Sequence, residues 1–239
     1  MLRIRSVLYL SVVGLLTMPP FKVDAAETEK RKGVSGYYSS TMLIGVDDNS
    51  GIVTGWYENY TGWDEQIQAP RFSCSFYLFG KLRGDTYHVT TWYPGTDDQI
   101  EGSLTFLIQD EHPRVRIKLQ AEHGGCWNVQ HFADEEDAEF GLDQQGDWIA
   151  IRVVSAKKAF FHTSPDPQTK RPAYVITGDV LRVFKTHNGW IDAEFGTEER
   201  TRGWIKEADI FPAATSGLKT VTLSGGLWRL ADLGCQTLP

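Results

Sequence analysis

Apolar and polar residues alternate along most of this chain with the period of a β-strand, and nowhere do they recur with the period of a long helix. Val115, Ile117 and Leu119 are interleaved with Arg116 and Lys118, the pattern of a strand with one face in a core and the other in water. The runs Gly36 to Tyr38, Ile52 to Tyr57, Phe72 to Phe79, Thr86 to Tyr93 and Ser103 to Ile108 are equally strand-like. Turn-formers separate them, at Asp47 to Gly51, Gly84-Asp85, Pro94-Gly95 and His123 to Gly125. Strands at this spacing, joined by short turns, form an antiparallel meander. The expected fold is therefore all-β, with residues 33–145 forming an antiparallel barrel or sandwich. The pattern does not choose between the two closures, and the length suffices for one core.

The start of the chain has another character. Arg3 and Arg5 precede the apolar run Val7 to Met18, which is short for a membrane span, and Asp24-Ala25-Ala26 offers small residues for cleavage. Residues 1–25 read as a signal peptide, so the mature chain is expected to be exported, to the periplasm first and the exterior second. No later apolar stretch approaches membrane-spanning length, and no integral membrane segment is expected in the mature chain. Removing residues 1–25 takes three cations and one carboxylate, moving the formal charge from −7 to −9. An acidic surface disfavours nucleic acid and anionic lipid, and leaves basic proteins, small molecules and neutral glycans as partners.

Three cysteines in an exported chain point to a disulfide before they point to a reactive thiol. Cys74 lies in a strand-like run and Cys126 opens another, Cys126 to Gln130, so we pair Cys74 with Cys126. Cys235 is left over near the C-terminus, in an extension covering residues 213–239. The acidic stretches Asp134 to Asp137 and Gly141 to Asp147 read as a solvated boundary between two domains.

Residues 148–212 carry an ordered set of motifs. Gly178-Asp179 leads a strand containing Leu181 and Val183, Asn188-Gly189-Trp190-Ile191 follows, and Gly203-Trp204-Ile205 comes last. Asn-Gly favours a tight two-residue hairpin turn, and Leu181, Val183, Ile191 and Ala193 have the spacing to face one small core. This set resembles the bacterial SH3 (SH3b) family over about a quarter of the chain. The resemblance implies a small SH3-like barrel, and recognition of peptidoglycan peptide or an envelope protein without intrinsic catalysis. The surface it implies consists of Phe161, Tyr174, Trp190 and Trp204, with bracing between Trp190 and Trp204 as the alternative role for those two.

The first domain matches no family by its motifs, so its role rests on its residues. It is rich in aromatics, and the run Tyr57 to Trp63 is too polar and glycine-rich for simple core. Tyr57, Tyr60 and Trp63 are therefore expected on an exposed recognition loop. Catalytic and metal readings find little support. Cys126 follows His123-Gly-Gly but lacks the helix that would activate a thiolate. The six histidines show no zinc spacing, and Asp47 to Gly51 lacks the downstream glutamate of a calcium loop. Neither catalytic residues, nor a metal site, nor a cofactor are assigned. Three functions follow: an envelope-binding protein docked by its SH3b segment, a periplasmic inhibitor or immunity protein against a toxin or wall hydrolase, and a wall hydrolase of unrecognised type.

Overall fold

Eight antiparallel strands follow one another in chain order and close into a barrel, with β1 paired to both β2 and β8. In this computed structural model, which describes residues 33–108, 112–133 and 138–212, they are β1 (Gly36–Tyr38), β2 (Met42–Asp47), β3 (Ile52–Asp64), β4 (Ala69–Arg83), β5 (Thr86–Trp92), β6 (Gln99–Leu107), β7 (Arg114–Leu119) and β8 (Glu139–Gln145). The signal segment 1–25, the acidic run 134–137 and the extension 213–239 with Cys235 lie outside the described residues. Of the two closures left open by the pattern, the barrel is the one observed. Every strand contributes inward apolar residues, among them Ile44, Val53, Leu78, Leu104 and Ile117, all fully buried. Burial of one such side chain is worth about 1.5–3 kcal/mol.

Two stretches depart from the sequence reading. Gly141 to Asp147 was expected as a solvated boundary, yet residues 141–145 belong to Glu139–Gln145, the strand that shuts the barrel, with Val115 opposite Phe140 and Tyr37 opposite Gln144. Phe140 is buried while residues 143–145 are exposed, so the local pattern carries almost no strand signal and partners on both sides impose the conformation. Residues 57–63, expected as a loop, lie inside β3, and Tyr57 points into the core. There its ring stacks on Phe76 at 5.2 Å and meets Phe132 edge-on at 4.9 Å.

Residues 150–206 form a second antiparallel sheet of β9 (Ala150–Val153), β10 (Ala159–His162), β11 (Lys170–Val175), β12 (Val180–His187), β13 (Trp190–Phe195) and β14 (Thr201–Lys206), in the spatial order β11-β10-β14-β13-β12-β9. Leu181, Val183, Ile191 and Ala193 lie together in its core with Phe161 and Ile205. Asn188 and Gly189 have φ of 47° and 78° and make the tight turn between β12 and β13, a conformation suited to Asn-Gly. Val154 bridges to Ile210 and brings the end of the segment back to its beginning.

Strand β9 also belongs to the barrel's outer surface. The Ile151 N–H donates to Thr54 Oγ1 at 2.7 Å, and the Tyr77 hydroxyl donates to the Ile151 carbonyl at 3.0 Å. Trp148 inserts beside them, its Nε1–H donating to the Ile44 carbonyl at 2.7 Å. Such close approach needs a glycine at position 45, because a Cβ there would stand 2.6 Å from Cα of Ala150. Leu43, Trp148, Ile151, Tyr77, Trp92 and Val153 are all buried at this junction. The buried Arg182 completes it, donating to the Tyr37 hydroxyl at 2.7 Å and pairing with Glu194 at 3.1 Å.

Candidate functional site

β3 and β4 are much longer than their neighbours. Strand β2 pairs with β3 only as far as Tyr57, and β5 pairs with β4 only from Tyr77 onward. Residues 58–64 and 69–75 consequently continue as a two-stranded ribbon, with Cys74 buried at its base and its tip beyond the barrel wall. A lone ribbon is marginal in water. This one is held by the Cys74–Cys126 disulfide, whose Cα atoms lie 4.6 Å apart, and by the Thr61 hydroxyl, which donates to the Asn128 carbonyl at 2.7 Å. Across its tip Arg71 donates to Asp64 at 2.8 and 2.6 Å, which holds the Asp64 carboxyl below the usual carboxylate range.

Cys126 was expected to open a strand and instead begins a short 3-10 turn, Cys126–Asn128. The cause is the preceding glycine pair. Gly125 lies against the Ser73 carbonyl, where a Cβ would come within 2.7 Å, and the Cys126 N–H bonds back to the His123 carbonyl at 2.9 Å. This turn presents Trp127, 62% exposed, next to a ribbon that presents Trp63, 63% exposed, and Tyr60, 53% exposed. Ile67 and Phe72 are also exposed on the ribbon. Rings and aliphatic groups of this size are kept in water here although the barrel core lies one turn away.

Tyr60 is oriented as well as exposed. Its hydroxyl donates to the Glu58 carboxylate, and that bond, followed by partial burial, pushes the phenol up to about 12. Glu58 also accepts from Trp56 Nε1 at 3.4 Å, and the Trp56 ring lies 6.4 Å from that of Tyr93. The surface is thus partly fixed in advance, which lowers the entropy cost of binding.

The residues expected to bind ligand are distributed unevenly. Tyr60 and Trp63 share the ribbon, whereas Tyr57 is withdrawn into the barrel core. In the second sheet Phe161 is core and Trp190 is buried edge-on against His162 at 4.8 Å, so neither offers a surface. The four-residue groove is therefore not formed, and the brace for Trp190 is His162, while Trp204 stands opposite Asp192 and His162 on the neighbouring strands. Tyr174 is 46% exposed beneath the Lys158 ammonium at 4.3 Å, and Trp204 is half-buried. The reading missed Ile67, Phe72 and the exposed turn at Trp127. Two stretches of matched length on either side of residues 65–68 were the available signal for a hairpin longer than the core needs.

Beside the ribbon, a cleft of about 270 Å³ is lined by His123, Asp98, Tyr93 and the disulfide. The Thr91 hydroxyl donates to the Ile100 carbonyl at 3.1 Å and lies 2.8 Å from His123 Nε2, an arrangement satisfied when Nε2 carries the proton. The ring stacks on Phe76 at 4.9 Å, and its burial pushes its pKa below the ordinary histidine value. Cys126 is bonded to Cys74 and so offers no thiolate to this imidazole.

His123 gives a pH prediction. On acidification through about 6.5 the unfolded chain takes up a proton at this position that the folded chain resists. Its contribution to stability is present above the unfolded value and declines as pH falls toward the lower folded value. Urea unfolding at a series of pH values from neutral to acid should show this slope in the parent and a shallower one in His123→Phe. Identical slopes would mean that His123 titrates alike in both states.

No protein-family model matches the chain, and no curated protein matches it. Among the described residues no helix is long and apolar enough to cross a membrane.

Proposed function

We propose that the chain is a non-catalytic binding protein of the cell envelope that grips a protein partner with the β3–β4 ribbon and the Trp127 turn, in the manner of an inhibitor or immunity protein against a secreted toxin or wall hydrolase. One observation carries the reading: large side chains are held in solvent on a ribbon that a disulfide fixes to the barrel. Aromatic anchors of this kind supply most of the energy in protein interfaces, often about 2 kcal/mol or more each. The acidic balance of the chain favours a basic partner, since opposite fields speed encounter. Export, on the signal-like segment 1–25, is part of the same proposal.

A second reading, docking on peptidoglycan peptide through an SH3b-type domain, keeps support from the Asn188-Gly189 hairpin, from the return of Ile210 to Val154, and from Tyr174 and Trp204 at the surface. It has fewer exposed anchors. Pull-down from envelope extract and sedimentation with purified peptidoglycan separate the two. Trp63→Ala/Trp127→Ala should abolish capture of a stoichiometric protein partner, weakening it by about a hundredfold or more, and Tyr174→Ala/Trp204→Ala should leave capture intact. Wall sedimentation that depends on Tyr174 and Trp204, with no protein captured by the ribbon, would reverse the order of the readings.

A further inference from the structure

The cleft of about 270 Å³ beside the ribbon presents two acceptors that no hydrogen bond of the described residues uses. The first is His123. Its Nε2 carries the proton, because the Thr91 hydroxyl 2.8 Å away already donates to the Ile100 carbonyl, so Nδ1 keeps its lone pair. No hydrogen bond reaches Nδ1 among the described residues, and it is not sealed from solvent as the unpaired Tyr57 Oη, Glu122 Oε2 and Arg182 Nε are. His123 is 8% exposed and lines the cleft, which places that bare lone pair at its wall. The second acceptor is the Asp98 carboxylate, exposed and without an ion pair or hydrogen bond among the described residues, yet close enough to act electrostatically on the His123 ring. No lysine or arginine lines the cleft among the described residues, and Arg71, the cation of the ribbon, is committed to Asp64.

We infer that this cleft receives a lysine or arginine side chain of the protein partner, an inference that rests on the ribbon reading above. An ammonium or guanidinium carries donors alone and so satisfies both acceptors, whereas an anion would meet the like charge of Asp98. The volume falls below the roughly 300–1,000 Å³ of sites for drug-sized molecules and suits one long side chain. Tyr93 and the Cys74–Cys126 bridge offer apolar surface to its methylene stem, and Gly124 and Gly125 add no side chain to obstruct it. Burial lowers the His123 pKa, which keeps the ring neutral and accepting at neutral pH. A divalent ion is a poorer fit, since no group of three His, Cys, Asp or Glu able to hold one occurs among the described residues. The aromatic ribbon supplies grip, and the cleft selects a partner with a basic residue at the matching point.

The test titrates the complete mature chain with Nα-acetyl-lysine amide and Nα-acetyl-arginine amide, following the His123 imidazole and the Gly124 and Gly125 amides by nitrogen NMR. At least one probe should shift these signals saturably, with Nδ1 moving most as its lone pair is engaged. Nα-acetyl-norleucine amide, which has the stem without the charge, should leave them in place. Asp98→Asn should weaken binding about three- to tenfold with unchanged near-UV circular dichroism. Asp98→Lys, which sets a competing cation at the cleft, should abolish probe binding and weaken partner capture. The Trp63→Ala/Trp127→Ala variant should bind the probe like the parent, so the cleft and the ribbon are read separately. Binding of neither cationic probe, equal binding of the norleucine amide, or undiminished affinity in Asp98→Asn would overturn the inference whatever the ribbon captures.

Discussion

Replacing Trp148 by alanine is expected to lower the free energy of unfolding by about 3–5 kcal/mol, the range for removing a buried aromatic side chain. Three losses combine at this position. The ring leaves the apolar junction formed with Leu43 and Ile151, where it also meets Tyr37 edge-on at 5.9 Å. The Ile44 carbonyl loses the indole N–H as donor. The Arg182 guanidinium, 5.7 Å from the Trp148 ring, loses one of two aromatic neighbours, the other being Tyr37. Because the indole stands between the barrel and the second sheet, its removal should also separate their unfolding. Urea titration followed by barrel and second-sheet probes should change from one transition to two. Trp148→Phe restores most of the packing without the hydrogen bond and should recover part of the loss. A loss below about 1 kcal/mol with a single transition would mean that the junction adds little to either part.

This junction also marks the limit of what the sequence discloses. Strands with one wet face were legible, as in β7, where Val115, Ile117 and Leu119 are buried and Arg114 and Lys118 are exposed. The Asn188-Gly189 turn was legible because its chemistry is local. Outward residues of β2 to β5 were not, since Leu43, Thr54, Tyr77 and Trp92 are buried by a second sheet far later in the chain. Thr54 is polar and fully buried, and its hydroxyl makes sense only once Ile151 is seen to bond it. The same difficulty affected the aromatic residues. Tyr57 and Tyr60 lie three residues apart in one strand and so point to opposite faces, an alternation hidden when residues 57–63 are read as a loop; Tyr57 is core and Tyr60 is exposed. In the second sheet Phe161 lies in the small core, and Trp190 is covered by the His162 ring. A residue's type sets what it can do at a surface, and the lengths of neighbouring strands decide whether it gets there.

Removing the disulfide, with Cys74→Ala and Cys126→Ala together, should cost about 4 kcal/mol, the loop-closure entropy of a bridge between residues 52 apart. The consequence for function should be larger than the consequence for the barrel. Strands β4 to β7 pair along their full core segments without help from this bond, so the barrel should remain folded in the cold. The ribbon has less support, because residues 59–64 and 69–74 pair as strands with each other alone, and Glu58 adds one backbone bond to the Thr41 carbonyl at 2.9 Å. Freed from Cys74, the Trp127 turn would keep the Thr61 to Asn128 hydrogen bond, worth about 1 kcal/mol, and the packing of Val129 against the barrel core. Limited proteolysis should then cut first within residues 58–76, and partner capture should be lost while circular dichroism still reports the barrel. Reduction of the parent should reach the same state only slowly, since both cysteines are buried and a reductant must wait for local opening. If the double variant stays protected in the ribbon and unfolds within about 1 kcal/mol of the parent, pairing alone fixes the ribbon. The bond would then stabilise the turn but would not determine how the aromatic surface is presented.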